Sequence, residues 1–279
     1  MIIDFHTHAF PDALAPKATA GLRKAVRSCG LGFEDVMYGD GTADGLIKLM
    51  DGAGVDISVL LPVATKPGQA EGINKWAQTL DRERIIPFAA VYPDENILRT
   101  LESLAEQGYK GIKLHGEFQN FDADEPRMIE LYRRCGELGL IAVLHAGVDC
   151  TFWQNVRVTP ERMANVFDKV SGTKFVLAHM GGVMCEDRAA ELLAGAEGLW
   201  VDTAYSAGRF SPEKMRMLIE AFGTDRVLLA SDIPWNDPRD NIKLVRDCGL
   251  SEEDTDRILF GNACKLLGID PGDKLLQKT

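Results

Sequence analysis

Eight short runs rich in β-branched and apolar residues recur along the chain, separated by segments with helical credentials. That alternation limits the fold to parallel strands joined by helical crossovers. The runs are IIDFH (2–6), ISVLLPV (57–63), IIPFAAVY (85–92), GIKLH (111–115), IAVLH (141–145), FVLAH (175–179), LWVDTA (199–204) and RVLLASD (226–232). From the second onward their starts lie 24 to 34 residues apart, the length of one strand, loop, helix and return loop. The first interval is longer by about one helix, so residues 10–40 form an inserted segment after strand one, over the mouth of a barrel.

Helix starts are marked by Pro126 after Asp124 and Glu125, by Pro160 after Thr159, by Pro212 after Ser211, and by Ser251 as a cap paired with Asp254. Gly108, Gly139 and Gly223 stop helices before strands four, five and eight. After strand eight, 238–248, 251–260 and 262–268 read as closing helices. No Pro/Ser-rich linker interrupts the 279 residues, which predicts one domain over 1–279, and α/β barrels of roughly 250 residues fold as one unit. A doubly wound sheet matches the alternation almost as well. No G-x-G-x-x-G follows the first strand, which removes the commonest dinucleotide-binding form of that sheet and leaves the decision to the chemistry.

Bulk properties remove several function classes. With 46% hydrophobic and 26% charged residues the composition is that of a globular protein, and a formal net charge of -11 without a basic stripe opposes nucleic-acid binding. No apolar run approaches the roughly 20 residues that span a bilayer, and the start MIIDFHTH has neither a basic n-region nor a cleavable apolar stretch. A cytoplasmic protein with no membrane partner is the expectation. Cys29, Cys135, Cys150, Cys185, Cys248 and Cys264 have no C-x-x-C spacing, so reduced thiols are expected, with Cys135 and Cys264 packed in helices. A homodimer is expected only as the commonest arrangement of soluble enzymes.

The chain has five histidines, and all fall at the C-terminal ends of strands: His6 and His8 on the first, His115 on the fourth, His145 on the fifth and His179 on the sixth. A single histidine there is more often structural than a ligand; five, joined by Asp232 at the end of strand eight, argue for a site, because strand ends remote in sequence meet at one face of a parallel barrel. Residues two apart on a strand face the same way, so His6 and His8 point together into the barrel with Asp4 beneath them. His6, His8, His145, His179 and Asp232 offer imidazole nitrogens and one carboxylate to a divalent cation, zinc first, with iron, manganese or cobalt also suited. Such a cation lowers the pKa of water to about 7 and polarises a carbonyl.

IDFHTHAF, VLHAG, LAHMGG and ASDIPW resemble the strand-end motifs of the amidohydrolase superfamily, in the branch that includes aminocarboxymuconate-semialdehyde decarboxylase, and FGNACKLLG is similar to that branch's closing helix. The resemblance runs from residue 2 to about 268. It implies an α/β (β/α)8 TIM barrel, with His6, His8, Asp232 and His145 as ligands and His179 as ligand or catalytic partner. It also implies that Asp232 takes the proton from the attacking water.

In GIKLHGE, Lys113 and His115 share strand parity and face the site together, and an inward lysine is costly unless paired or chemically changed. Dihydroorotase-like members of the superfamily carboxylate a similar lysine to bridge two metals. The expectation is one ion, with Lys113 and His115 as substrate-facing or proton-handling groups; two ions follow if Lys113 is carboxylated. Glu117 reads as a solvated loop acid. Trp153, Tyr205, Arg209 and Trp235, beside Asn236, sit on loops after strands and are nominated to line a pocket, Arg209 as a fork for a carboxylate. The leading activity is hydrolysis of a C–N or C–O bond in a small, carboxylated or cyclic metabolite. The alternative is a decarboxylase or hydratase on the same site, and a third reading is a structural metal or a ligand-binding module.

Overall fold

The computed structural model describes residues 1–33 and 35–270. Its strands are β1 (Ile3–Thr7), β2 (Ile57–Leu60), β3 (Ile85–Pro87), β4 (Ala89–Ala90), β5 (Gly111–Leu114), β6 (Ile141–Leu144), β7 (Lys174–Leu177), β8 (Leu199–Asp202) and β9 (Val227–Leu228). All ladder neighbours are parallel, in the orders β1-β2-β3 and β4-β5-β6-β7-β8-β9. The two ladders close on each other. Phe88, between β3 and β4, donates its N–H to Leu60 O at 2.9 Å, so those two strands are one barrel stave interrupted at Phe88. At the other seam Phe5 N bonds Leu229 O (2.9 Å), Asp232 N bonds His6 O (2.9 Å) and His8 N bonds Ile233 O (2.7 Å). The chain is therefore a closed eight-stave (β/α)8 barrel, and the doubly wound alternative falls away.

Two apolar cores follow from strand alternation. One face of the staves meets the helices; the other supplies Ile3, Phe5, Ile57, Val59, Leu61, Phe88, Ile141, Val143, Val176 and Leu228 to an inner cluster, capped by Ala263, Cys264, Leu266 and Leu267 of the last helix. Phe5 and Phe88 meet edge to face at 5.8 Å, worth about 0.5–1.5 kcal/mol beyond area burial. Gly111 is required beside them, since a Cβ there would stand 2.4 Å from Phe88 Cε2 and 2.5 Å from Ile141 O. On β1 the alternation differs from expectation. Ile3 and Phe5, not Asp4, feed the inner cluster, and the register against β2 shifts between Asp4 and Thr7, a bulge-like irregularity that re-aims the strand end before His6.

Helix caps fall where the sequence puts them: Thr159, Ser211 and Ser251 accept from the N–H groups of Arg162, Lys214 and Asp254, and Gly139 closes its helix at φ 71°. The two closing helices expected to break at 261 are one run instead, because Arg257–Gly261 forms a π-turn between Glu252–Asp256 and Asn262–Leu267. Ile258 O in that turn accepts from Leu229 N (2.9 Å), tying the run to the barrel seam.

The inserted segment carries a helix, Ala15–Cys29, and lies across the C-terminal ends of the staves: Tyr38 N bonds Pro234 O (2.8 Å), Phe33 packs 6.0 Å from the Tyr205 ring, and the Cys29 thiol touches Cys150. Among the described residues no helix is long and apolar enough to cross a membrane.

Candidate metal centre

His6 lies in β1 and His8 just beyond it; Lys113 lies in β5 and His115 follows; His145 follows β6, His179 follows β7, Asp202 ends β8 and Asp232 comes four residues after β9. All are buried except His8, which is partly exposed. His179 and Asp232 have left-handed backbones (φ 61° and 72°), a conformation that costs a non-glycine residue about 1–3 kcal/mol and is held here by bonds to neighbouring staves.

The Nδ1 partners of the first two histidines fix what each ring presents. His6 Nδ1 faces Asp202 Oδ2 at 2.9 Å and His8 Nδ1 faces Leu61 O at 2.9 Å. Both partners are acceptors, so each ring carries its proton on Nδ1 and a lone pair on Nε2. These two Nε2 atoms are 3.1 Å apart, and Asp232 Oδ1 stands 3.2 Å from the His8 atom and 3.6 Å from the His6 atom. Three acceptors converge, and the donor that reaches them, Lys113 Nζ at 3.2 Å from His6 Nε2, stands at one corner; His8 Nε2 and Asp232 Oδ1 still face each other as acceptors, which is repulsive unless a cation sits between. The edges of this triangle match a tetrahedral face, where ligands at 2.0–2.1 Å from zinc lie about 3.3 Å apart. The three residues thus fit a divalent cation by donor type, protonation and spacing.

Lys113 stands against the same group. Its Nζ is 3.2 Å from His6 Nε2, and burial pulls its ammonium well below the usual lysine range, with Asp202 and Asp232 pulling the other way. Burial likewise pushes Asp232 and Asp202 above the ordinary carboxylate range, opposed for Asp232 by His8 and for Asp202 by the His179 N–H. Asp4, also buried, is pushed up to about 7. It is not beneath the histidines in the barrel but bonded to the Ser231 N–H (2.9 Å) and hydroxyl across the seam.

His145 and His179 pair with each other rather than joining the triangle. His179 Nδ1 donates to Ala204 O (3.1 Å), leaving Nε2 to accept from His145 Nδ1 at 3.1 Å. His145 Nε2 is then a buried atom with no partner among the described residues. Burial and the neighbouring His115 pull His145 down to about 3, so it stays neutral.

His115 belongs to a second group. Its Nδ1 is 3.2 Å from Glu117 Oε2, its Nε2 is 3.5 Å from Asp149 Oδ2, and its ring stacks on His145 at 4.2 Å and 2°. Burial opposes its charge, but Asp149 and Glu117 outweigh burial and raise its pKa. Although His115, His145 and Asp149 have ligand atoms within 4.8 Å, parallel rings send their in-plane lone pairs along parallel lines. A His115 whose protonated form Asp149 and Glu117 favour, stacked on a neutral His145, suits this arrangement; a shared ion does not. The reading of Glu117 as a solvated acid is corrected: the turn Gly116–Gln119 folds it inward, buried, with Oε1 accepting from Arg157 N at 2.8 Å.

Of the nominated pocket residues, Arg209 donates to Glu186 Oε1 (2.6 Å) and lies over the Tyr205 and Phe210 rings at 5.6 and 5.0 Å, close enough for its charge to bear on His179. Tyr205 is partly buried, its backbone N–H donating to Ser231 O (3.1 Å); Trp235 is partly buried, its backbone N–H donating to Asp232 O (2.7 Å); Trp153 is 42% exposed. All six cysteines are free thiols, and burial pushes Cys135 far above its ordinary range. Asp202, Asp149 and Glu186 are the functional candidates that the sequence reading missed. Asp202 carried a signal, since within LWVDTA it is an acid near the end of a strand run, where four of the other seven runs carry histidine.

A closed parallel barrel with two strand-one histidines and a strand-eight aspartate at its C-terminal face is the architecture of a barrel metalloenzyme. The amidohydrolase family model matches residues 3–269, and the chain belongs to that family. Among solved structures, it is similar to 5-carboxyvanillate decarboxylase from Sphingomonas paucimobilis, at 19% identity and TM-score 0.68 over 96% of this chain and 99% of that one. An uncharacterised TIM-barrel protein from Bordetella bronchiseptica matches at 16% identity and TM-score 0.75, over 96% and 98%. A dihydroxybenzoic acid decarboxylase from Polaromonas with bound manganese matches at 17% identity and TM-score 0.70, over 98% of each chain.

Proposed function

We propose that the chain is a hydrolase of a C–N or C–O bond in a small carboxylated or cyclic metabolite, dependent on one divalent cation held by His6, His8 and Asp232. The observation that carries this reading is the triangle of three acceptors, of which only His6 Nε2 has a donor, Lys113 Nζ, beside it. A cation there, zinc or manganese, supplies Lewis acidity to water and to a carbonyl oxygen. Asp232, raised by burial, is the base that takes a proton from the attacking water; as the C–N or C–O bond breaks, that proton goes to the leaving atom. His145 and His179, neutral and linked, orient the polar substrate through the unpartnered His145 Nε2. Lys113 balances the charge of Asp202 and Asp232. Arg209, exchanging Glu186 for a substrate carboxylate, selects acids.

A second reading is decarboxylation of a small unsaturated acid. It draws support from the two decarboxylases of the same fold and from His115, whose flanking carboxylates keep a proton available for carbon. Turnover in ¹⁸O-water separates the two: hydrolysis puts the label into the new acid or alcohol, decarboxylation releases carbon dioxide without it. Full turnover of every substrate tried in chelator-stripped protein refutes both.

A further inference from the structure

Asp202 ends β8, is wholly buried, and divides its two oxygens between two tasks. Oδ1 accepts from the backbone N–H groups of His179 (2.8 Å) and Ala204 (3.1 Å), holding the left-handed turn at His179. Oδ2 accepts from His6 Nδ1 at 2.9 Å. We propose that Asp202 is the positioning residue of the cation site: by fixing His6 as the Nδ1–H tautomer it turns the Nε2 lone pair toward His8 Nε2 and Asp232 Oδ1. The proposal rests on the reading that those three atoms hold a cation. His8 is fixed by a backbone carbonyl that no side-chain change can remove, so His6 is the ligand whose tautomer depends on a replaceable group.

The two-task geometry makes the amide variant informative. In Asp202→Asn the side-chain oxygen has to stay on the His179 and Ala204 N–H groups, which leaves the NH2 facing His6 Nδ1. Donor then meets donor. His6 relieves this only by moving its proton to Nε2, which abolishes the lone pair the cation needs, or by turning its ring away. Lys113, whose Nζ donates to the same Nε2, loses its acceptor as well.

The test has two parts. Calorimetric titration of metal-stripped protein with Zn²⁺ or Mn²⁺ is expected to show affinity falling about 10–100-fold in Asp202→Asn, with circular dichroism unchanged. Nitrogen-15 NMR of the stripped wild-type protein, with the His6 signals assigned by their loss in His6→Asn, is expected to show the proton on Nδ1. Equal affinity in a folded Asp202→Asn overturns the proposal, and so does a wild-type His6 protonated on Nε2. If the variant does not fold, the wild-type spectrum decides. If wild-type protein takes up neither ion, the cation reading fails, and the tautomer still reports on Asp202 separately.

Discussion

Asp4→Asn removes a penalty that the barrel seam imposes on itself. Asp4 is buried, and its carboxyl is pushed from 3.8 up to about 7, mainly by loss of water and against the bonds from Ser231. The folded chain therefore keeps this proton until about pH 7, whereas the unfolded chain releases it near 3.8. Between those values the folded state binds more protons, so the stability from this group is full below pH 3.8 and falls as pH rises through 7. At about 1.36 kcal/mol per unit, the loss approaches 4 kcal/mol above pH 7, roughly 3 of it between pH 5 and 8. Asparagine is accommodated: its oxygen replaces Oδ1 opposite Ser231 N (2.9 Å) and His6 N (3.2 Å), and its NH2 donates to the Ser231 hydroxyl oxygen. The displaced hydroxyl proton costs about 1 kcal/mol at every pH. Urea unfolding in EDTA at pH 5 and pH 8 is the assay. Relative to wild type, the variant should gain roughly 3 kcal/mol between the two pH values. A wild-type-minus-variant difference that is flat across that interval refutes the reasoning.

Gly111→Ala forces a methyl into Phe88 and Ile141 O and should cost about 1–3 kcal/mol, read by calorimetry as a Tm lower by several degrees; an unchanged Tm means that the Phe88 ring is not where the inner core needs it. Arg209→Met should raise KM for carboxylated substrates about tenfold or more with little change in kcat, while leaving uncharged analogues unaffected; equal effects on both remove the carboxylate role. Glu117→Gln removes one of the two carboxylates that raise His115, so the His115 pKa, followed by NMR, should fall; no movement refutes the pairing.

The site was legible in the sequence to the extent that a parallel barrel collects strand ends. That rule located His6, His8 and Asp232 from positions 226 residues apart, and the structure brings them within contact. It could not say which nitrogens face one another, because that depends on the second partner of each ring: Leu61 O for His8, Asp202 for His6 and Ala204 O for His179. Lys113 and His115 share parity yet enter different groups, since β5 ends between them and the following turn carries His115 toward Asp149. Simple alternation failed further along β1: Ile3 and Phe5 line the inner core with Asp4 in the seam, and the shift against β2 between Asp4 and Thr7 breaks the parity that would have kept Asp4 on the same side as His6. The split of the third stave at Phe88 and the π-turn at 257–261 are tertiary outcomes, the second coupled to a bond with Leu229.

On the proposed reading, three converging acceptors hold a cation. Crystals of protein loaded with Zn²⁺ or Mn²⁺, with anomalous differences collected at the metal edge, test it most directly. One peak is expected, bonded by His6 Nε2, His8 Nε2 and Asp232 Oδ1 at about 2.0–2.2 Å. A peak between His115 and Asp149 with that triangle empty, or no peak at all in a loaded crystal, contradicts it.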